Sequence, residues 1–145
     1  MIDIKIKRLN SNAITPTQAN PNDAGWDLYA NIPGYLCIYP HCTEKIPTGF
    51  AWAIPNGYFG GVYARSGLAS KQGLRPANCV GVIDSGYRGE VIVALHNDTD
   101  DVKKICYGDR IAQMIVQPYA NAELTEVDEL DDTDRGSGGF GSSGI

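Results

Sequence analysis

Hydrophobic positions in residues 1 to about 120 come in short runs or alternate with polar ones, and Gly, Pro and Asn separate the runs. No stretch shows a sustained helical period. Many short segments of this kind are typical of an all-β sandwich or jelly roll, which is the fold we predict. The predicted strands are Ile2–Ile6, Trp26–Ala30, Tyr35–Tyr39, Gly49–Ile54, Gly57–Tyr63, Val80–Ile83, Glu90–Leu95, Lys103–Cys106 and Arg110–Val116.

One short helix is the exception to this pattern. It follows Ser66 and runs through Gln72, and Gly73 is expected to end it after about a turn and a half. A helix N-terminus that begins at Arg65 and Ser66 would offer free backbone N–H groups to a phosphate. The sequence therefore predicts an anion-binding turn between two strands.

The chain divides into a packed part and a tail. Its 145 residues are the usual size of one domain. After Pro118 the composition changes, since seven acidic side chains lie between Glu123 and Asp134 and a Gly/Ser-rich segment follows them. We predict an all-β domain over residues 1–130 and a flexible C-terminal arm over residues 131–145.

The charge balance argues against a nucleic-acid partner. The formal net charge is −5, and Lys and Arg form no run of the kind that binds a phosphate backbone. A small anionic ligand is compatible with this balance. Arg65, Arg110 and Arg135 could converge on such a ligand while the rest of the surface stays acidic.

The apolar runs and cysteines predict a cytoplasmic protein, or one of the host cytoplasm if the chain is viral. The N-terminus lacks the apolar core of a signal peptide, and no apolar run could span a bilayer, so no membrane association is expected. Cys37, Cys42, Cys79 and Cys106 form no Cys-x-x-Cys pair and are expected to be reduced core residues. Cys37, His41 and Cys42 are close enough to suggest a metal, but without a second pair a structural role is favoured.

The last eleven residues combine a Gly/Ser backbone with one arginine and one aromatic ring. Glycine and serine leave backbone N–H groups free to approach phosphate oxygens, while Arg135 supplies a planar cation and Phe140 a face for stacking on a base. Composition alone favours a disordered tail. The motifs in the rest of the chain favour a mobile nucleotide clamp.

Several polar residues are candidates for chemistry, and each has a simpler interpretation. Asp84 lies where an apolar strand enters a tight turn, so its carboxylate could accept a proton from an attacking water, or it could merely begin an Asp-Ser-Gly turn. Asp27 could hold a water of a Mg²⁺ hydration shell or face solvent by strand alternation. Tyr87 could be an ordinary hairpin aromatic, and Arg110 and Gln113 could form the polar face of one strand.

Five short motifs complete the sequence evidence. They are Ala24–Leu28 (AGWDL), Arg65–Ala69 (RSGLA), Gly81–Gly89 (GVIDSGYRG), Gly108–Gln113 (GDRIAQ) and Arg135–Gly141 (RGSGGFG). In this order and spacing, the chain resembles the trimeric deoxyuridine triphosphate nucleotidohydrolases (dUTPases) over nearly its whole length. Each motif alone is weak evidence, whereas five together are highly specific.

The resemblance implies a jelly-roll homotrimer that hydrolyses dUTP to dUMP and pyrophosphate with Mg²⁺, at three sites between subunits. Asp84 would orient and deprotonate the water that attacks the α-phosphorus. Tyr87 would pack under the deoxyribose and exclude a 2′-hydroxyl, and Asp27 would touch waters on Mg²⁺. The substrate-binding residues it implies are Arg65, Ser66, Gly67, Asn78, Gly81, Val82, Ile83, Tyr87, Gln113, Arg135, Gly138, Gly139 and Phe140.

These residues divide by the part of the nucleotide that each would bind. By the same resemblance, the hairpin backbone from Asn78 to Val82 would read the uracil edge, and Arg65, Ser66 and Gln113 would hold the phosphate chain. In the arm, Arg135 and backbone amides would close on the γ-phosphate, and Phe140 would close on the uracil.

Two positions depart from the family, and two other functions compete with this interpretation. The family commonly has Asp at the position of Gly86 and Pro at that of Ala64, which bears on nucleotide affinity more than on the chemistry. The related dCTP deaminases need a glutamate poised at the base, and the best-placed one, Glu90, is more simply a strand residue. A non-catalytic nucleotide sensor would not be expected to keep both Asp84 and the arm.

Overall fold

A computed structural model describes residues 2–139 and confirms the all-β prediction. Within that range the chain forms ten strands and one short helix. The elements in chain order are β1 (Lys5–Arg8), β2 (Trp26–Tyr29), β3 (Tyr35–Ile38), β4 (Thr43–Ala53), β5 (Tyr58–Tyr63), α1 (Ser66–Gln72), β6 (Leu74–Pro76), β7 (Gly81–Ile83), β8 (Glu90–Asn97), β9 (Lys103–Cys106) and β10 (Arg110–Pro118).

The strands form two four-stranded antiparallel sheets that share one core, with β3 and β9 pairing separately. The first sheet has the order β1-β4-β8-β6, and the second has the order β2-β10-β5-β7. Ile46 and Leu95 of the first sheet and Leu28 and Met114 of the second are fully buried in one hydrophobic cluster. Burying each such side chain stabilises the fold by about 1.5–3 kcal/mol, so the sandwich holds both sheets in place.

The helix prediction is confirmed at both ends. Arg65 is the N-cap of α1, and Gly73 ends the helix in the left-handed conformation with φ of 66°. The Gly73 N–H donates to the Ala69 carbonyl, which satisfies one of the last carbonyls of the helix. Among the described residues no helix is long and apolar enough to cross a membrane.

Three strand predictions differ from the structure. The first strand begins at Lys5 instead of Ile2, and β4 begins at Thr43 instead of Gly49. Pro47 lies within β4, beside a register shift in the pairing of β4 with β8, where a proline is tolerated. β6 was not predicted, because its three residues at the edge of the first sheet are too few to show alternation.

The prediction of four core cysteines is wrong for two of them. Cys37 and Cys106 are half-buried, whereas Cys42 and Cys79 are exposed, and all four are free thiols. Cys79 has a left-handed φ of 58°, and Cys42 follows His41, which has a φ of 57°. Both exposed cysteines therefore belong to tight turns at the surface, where the chain reverses direction away from the core.

The chain leaves the sandwich at the end of β10. Tyr119 and the residues that follow, through Ser137, are exposed in the single chain. They include Leu124 and Leu130, which are 96% and 85% exposed. These apolar side chains are exposed in the single chain, so they do not mark where the packed domain ends. The domain boundary at residue 130 stays a prediction.

Candidate functional site

A cavity of about 540 Å³ opens where β2, β10 and the start of α1 meet. We call it the arginine cavity. It brings together predicted site residues from three motifs that lie far apart in the sequence. Its lining is Ala19, Asp23, Ala24, Gly25, Asp27, Arg65, Ser66, Gly67, Gln113 and Ile115.

Strand register places Gln113 at the centre of this cavity wall. Gln113 lies opposite Asp27 on β2 and opposite Tyr63 on β5, and directly opposite residues share one face of an antiparallel sheet. Its Nε2 donates to the Ala64 carbonyl oxygen at 2.9 Å. A Cβ added to Gly25 would lie 2.4 Å from Gln113 Oε1, so only glycine leaves room for this carboxamide.

Asp27 is the charged centre of the cavity. Arg65 Nε donates to Asp27 Oδ1 at 2.7 Å, and Arg110 Nη1 donates to Oδ2 at 3.1 Å. The Asp27 side chain is only 10% exposed. Each carboxylate oxygen keeps a further lone pair that could accept from a magnesium-bound water. The contact of Asp27 with such a water stays a prediction.

The sequence-based list of site residues omitted Arg110. The sequence does indicate a role for this residue, because Arg110 lies in the fourth motif and is one of the three arginines that could converge on an anion. Its partner could not be identified without the pairing of β2 and β10, in which Arg110 lies opposite Tyr29 and the register shifts before Ala112.

Apart from those in the arm, the other predicted residues lie on β7 and in the turns before and after it, which we call the hairpin face. A small cavity of about 60 Å³ is lined there by Asn78, Gly81, Val82 and Ile83, among others. The Tyr87 N–H donates to the Asp84 carbonyl at 3.0 Å and closes the turn.

The side chains of the turn face solvent in the single chain. The Tyr87 hydroxyl donates to the Glu90 carbonyl at 2.9 Å, yet the residue is 44% exposed. Asp84 is also exposed. The partial desolvation expected for Asp84 is therefore not provided by its own chain, because β7 is an edge strand and nothing in residues 2–139 covers the turn.

Arg75 anchors the strand that leads into the hairpin. Its Nε and Nη2 donate to the two carboxylate oxygens of Asp98 at 2.7 and 2.9 Å. These hydrogen bonds, together with the Asp98 charge, raise the pKa of Arg75 above its ordinary value. The pair ties β6 to the end of β8 and fixes the base of the hairpin.

The arginine cavity and the hairpin face occupy different parts of the second sheet. Strands about 4.8 Å apart place β2 and β7 about 14 Å from each other, with β10 and β5 between them. Asp84 follows Ile83, which lies opposite Gly60 near the start of β5, whereas Arg65 follows the end of that strand. One chain therefore carries two separate half-sites.

The described part of the arm forms a tight turn. Arg135 Nε donates to the Gly138 carbonyl at 3.0 Å, and the Gly138 N–H donates to the Arg135 carbonyl at 3.1 Å. Arg135 is exposed and Gly138 and Gly139 are half-buried. Phe140 lies outside the described residues.

Comparison with protein families shows to which family these motifs belong. The dUTPase family model matches residues 11–144. The chain belongs to the dUTPase family.

Curated members of the dUTPase family match the chain closely. The deoxyuridine 5′-triphosphate nucleotidohydrolase of Syntrophotalea carbinolica is 47% identical over 144 residues, which cover 99% of this chain and 98% of the relative. That of Desulfitobacterium hafniense is 50% identical over 131 residues, covering 90% and 87%.

Solved dUTPase structures share the fold. A mutant dUTPase of Staphylococcus bacteriophage 80alpha with dUpNHpp superposes with a TM-score of 0.89 at 29% identity, covering 100% of both chains. A mutant dUTPase of phage phi11 of S. aureus, described as revealing the coordination of a structural Mg(II) ion, has a TM-score of 0.78 at 27% identity. It covers 88% of this chain and 98% of its own.

Proposed function

We propose that this protein hydrolyses dUTP to dUMP and pyrophosphate, which would keep uracil out of DNA and supply dUMP for thymidylate synthesis. The observation that carries the proposal is the pair of half-sites, with Arg65 at a cavity beyond the end of β5 and the exposed carboxylate of Asp84 after the edge strand β7. Relatives named deoxyuridine 5′-triphosphate nucleotidohydrolases support it, as does the dUpNHpp bound to a phage dUTPase.

The arginine cavity would bind the triphosphate. Arg65 can offer its two Nη groups, because its contact with Asp27 uses Nε. Ser66 and Gly67 line the same cavity and can donate to phosphate oxygens through the Ser66 hydroxyl and backbone N–H groups. Gln113 is held by Ala64, so its carboxamide is oriented before the nucleotide arrives.

The hairpin face would supply the chemistry and the base recognition. Asp84 would take a proton from water as its oxygen attacks the α-phosphorus, the bond to the bridging oxygen of the β-phosphate breaks, and pyrophosphate leaves. Tyr87 would lie under the deoxyribose. The backbone of Gly81, Val82 and Ile83, with Asn78, would read the uracil edge.

A homotrimer would join the two half-sites. Because Asp84 follows β7 near the start of β5 whereas Arg65 follows the end of β5, the cavity of one subunit would face the hairpin of another to complete a site. The exposed Leu124 and Leu130 and the arm with Arg135, Gly138, Gly139 and Phe140 would reach a neighbouring subunit. The arm would then close over the bound nucleotide and exclude water.

Magnesium would enter with the phosphates. Residues 2–139 contain no group of three His, Cys, Asp or Glu side chains suited to hold an ion by themselves. This suits Mg²⁺, which usually keeps several waters and binds through substrate phosphates and few carboxylates. Asp27 would contact it through water, and the ion would neutralise charge on the phosphate oxygens.

The deaminase alternative finds no support at Glu90. Glu90 Oε1 accepts a hydrogen bond of 2.6 Å from the Gly49 N–H, so this carboxylate is occupied in pairing the strands of the first sheet.

The test is incubation of the full chain with dUTP, dCTP or UTP, with and without Mg²⁺, followed by chromatography of the products. We expect dUMP and pyrophosphate from dUTP in Mg²⁺ and very little product from UTP, because a 2′-hydroxyl finds no room at Tyr87. Formation of dUTP from dCTP, or equal hydrolysis of UTP and dUTP, would contradict the proposal.

A further inference from the structure

The two arginines at the cavity share one carboxylate. Asp27 accepts from Arg65 on one oxygen and from Arg110 on the other, at 2.7 and 3.1 Å. The side chains become more exposed outward, from 10% for Asp27 to 27% for Arg65 and 47% for Arg110. A buried anion is thus paired with Arg65, which lines the cavity, and with Arg110, whose side chain is nearly half exposed.

Three separate elements hold this arrangement. Asp27 is fixed on β2, where its own N–H donates to the Thr17 carbonyl at 2.7 Å. Arg65 is the N-cap of α1, and Arg110 begins β10. Because the β2 backbone holds Asp27 in place independently of the arginines, its carboxylate can set the orientation of the Arg65 and Arg110 side chains, which are long and otherwise flexible.

The charge count of the cluster leaves it cationic. One carboxylate neutralises only one of the two guanidinium groups, and within residues 2–139 neither arginine donates a hydrogen bond to any other group. Arg65 therefore keeps the donors of both Nη atoms, and Arg110 keeps those of Nη2 and Nε. Asp23 also lines the cavity and offsets the surplus positive charge, so it is the unused guanidinium donors that suit a polyphosphate chain.

We infer that Asp27 is a positioning residue that holds the guanidinium groups of Arg65 and Arg110 in the orientation that binds the polyphosphate of the nucleotide. This inference rests on the proposed function, but it assigns Asp27 a task that needs no metal. Without the carboxylate, both side chains would have to be ordered by the ligand itself, at a cost in affinity.

The sign of the charge change makes this inference testable. Asp27→Asn keeps the shape and removes a negative charge beside a polyanion, so a purely Coulombic role predicts tighter binding of the triphosphate. A positioning role predicts weaker binding. A role confined to magnesium-bound water predicts weaker binding only when Mg²⁺ is present.

The experiment is calorimetric titration of full-length protein with dUpNHpp and with dUMP, each in Mg²⁺ and in EDTA. For Asp27→Asn we expect about 10- to 100-fold weaker dUpNHpp binding in both media, with dUMP affinity unchanged. In an Arg110→Gln background the same substitution should cost less, because one of the two guanidinium groups is already gone.

Asp101→Asn is the matched control, since the Asp101 side chain is 87% exposed and lies outside the cavity, with Lys103 as its charged neighbour. It should leave dUpNHpp binding equal or tighter. Unchanged dUpNHpp affinity of Asp27→Asn in EDTA would overturn the inference, as would equal losses for dUMP and dUpNHpp. If wild-type protein neither binds dUpNHpp nor hydrolyses dUTP, the proposed function itself fails.

Discussion

The arginine cavity and the hairpin face belong to one sheet, and they differ in how much of their geometry a single chain determines. In the cavity, Asp27 is buried and fixes two arginines, and Gln113 is held by a backbone carbonyl. On the hairpin face, Asp84 and Tyr87 are exposed and the turn is closed by one backbone hydrogen bond.

The difference follows from what each half-site must do. Phosphate binding needs several charged groups in fixed orientation, and burial of a carboxylate behind them supplies it. Under the proposed function, Asp84 would meet a water and a substrate brought by another subunit, which fits its exposure in the single chain. The proposed function therefore gives binding to the rigid cavity and chemistry to the exposed hairpin face, and substitutions should affect the two differently.

The largest effect is expected at Asp84. Asp84→Asn preserves the shape of the turn but cannot accept the proton, so kcat for dUTP should fall about 10²–10⁴-fold while dUpNHpp binding largely survives. Steady-state kinetics and calorimetric titration measure the two. Asp3→Asn, the same change at an exposed carboxylate near the N-terminus, is the control, and near-normal turnover of Asp84→Asn would rule out the base.

Truncation after Asp134 comes next. It removes Arg135 and the rest of the arm but no core residue, so thermal melting and assembly should be unchanged. Turnover should fall by about 10²-fold or more, since charged hydrogen bonds are worth about 1.5–3 kcal/mol and base stacking about 1–3 kcal/mol. Phe140→Ala should lose less. Full activity of the truncated chain would show that the arm is a passive tail.

Gly25→Ala probes the rigidity of the cavity. The added Cβ would lie 2.4 Å from Gln113 Oε1, so the carboxamide must move from its place beside Ala64. We expect KM for dUTP to rise about tenfold with a smaller change in kcat. The double variant Gly25→Ala/Gln113→Ala should have the same KM as Gln113→Ala alone. Additive increases in KM would show that Gly25→Ala does not act through Gln113.

Gly89→Ala imposes the same steric conflict on the hairpin face, and the smallest effect is expected there. The new Cβ would lie 2.4 Å from the Tyr87 hydroxyl, but this exposed ring can swing outward. Losing the hydrogen bond to Glu90 costs about 0.5–1.5 kcal/mol, so the preference for dUTP over UTP should relax by about two- to tenfold. If Gly89→Ala lost more activity toward dUTP than Gly25→Ala, the hairpin face would be the more rigid half-site, contrary to our expectation.

The fold could be predicted where side-chain alternation was long enough to be seen. The runs around Trp26, Tyr58 and Arg110 became strands, and Gly73 ended the helix because the left-handed cap there suits glycine. The first half of β4 was missed because Pro47 is tolerated only through a register shift, which depends on the partner strand.

The candidate site could be predicted as residues but not as geometry. The motifs named Asp27, Arg65 and Gln113, and the structure places all three at one cavity. The pairing of Asp27 with Arg110 depends on strand register between distant segments, which sequence patterns do not contain. The exposure of Asp84 in its own chain could not be predicted either, because it depends on the edge position of β7.

The exposed acidic segment changes how the net charge should be understood. Seven of the 17 acidic side chains lie between Glu123 and Asp134, so the rest of the chain holds ten acids against 12 basic residues. The sandwich is therefore weakly cationic although the whole chain is acidic. Its attraction for a polyanion should weaken with rising ionic strength, as it does for basic proteins, despite an isoelectric point near 4.8.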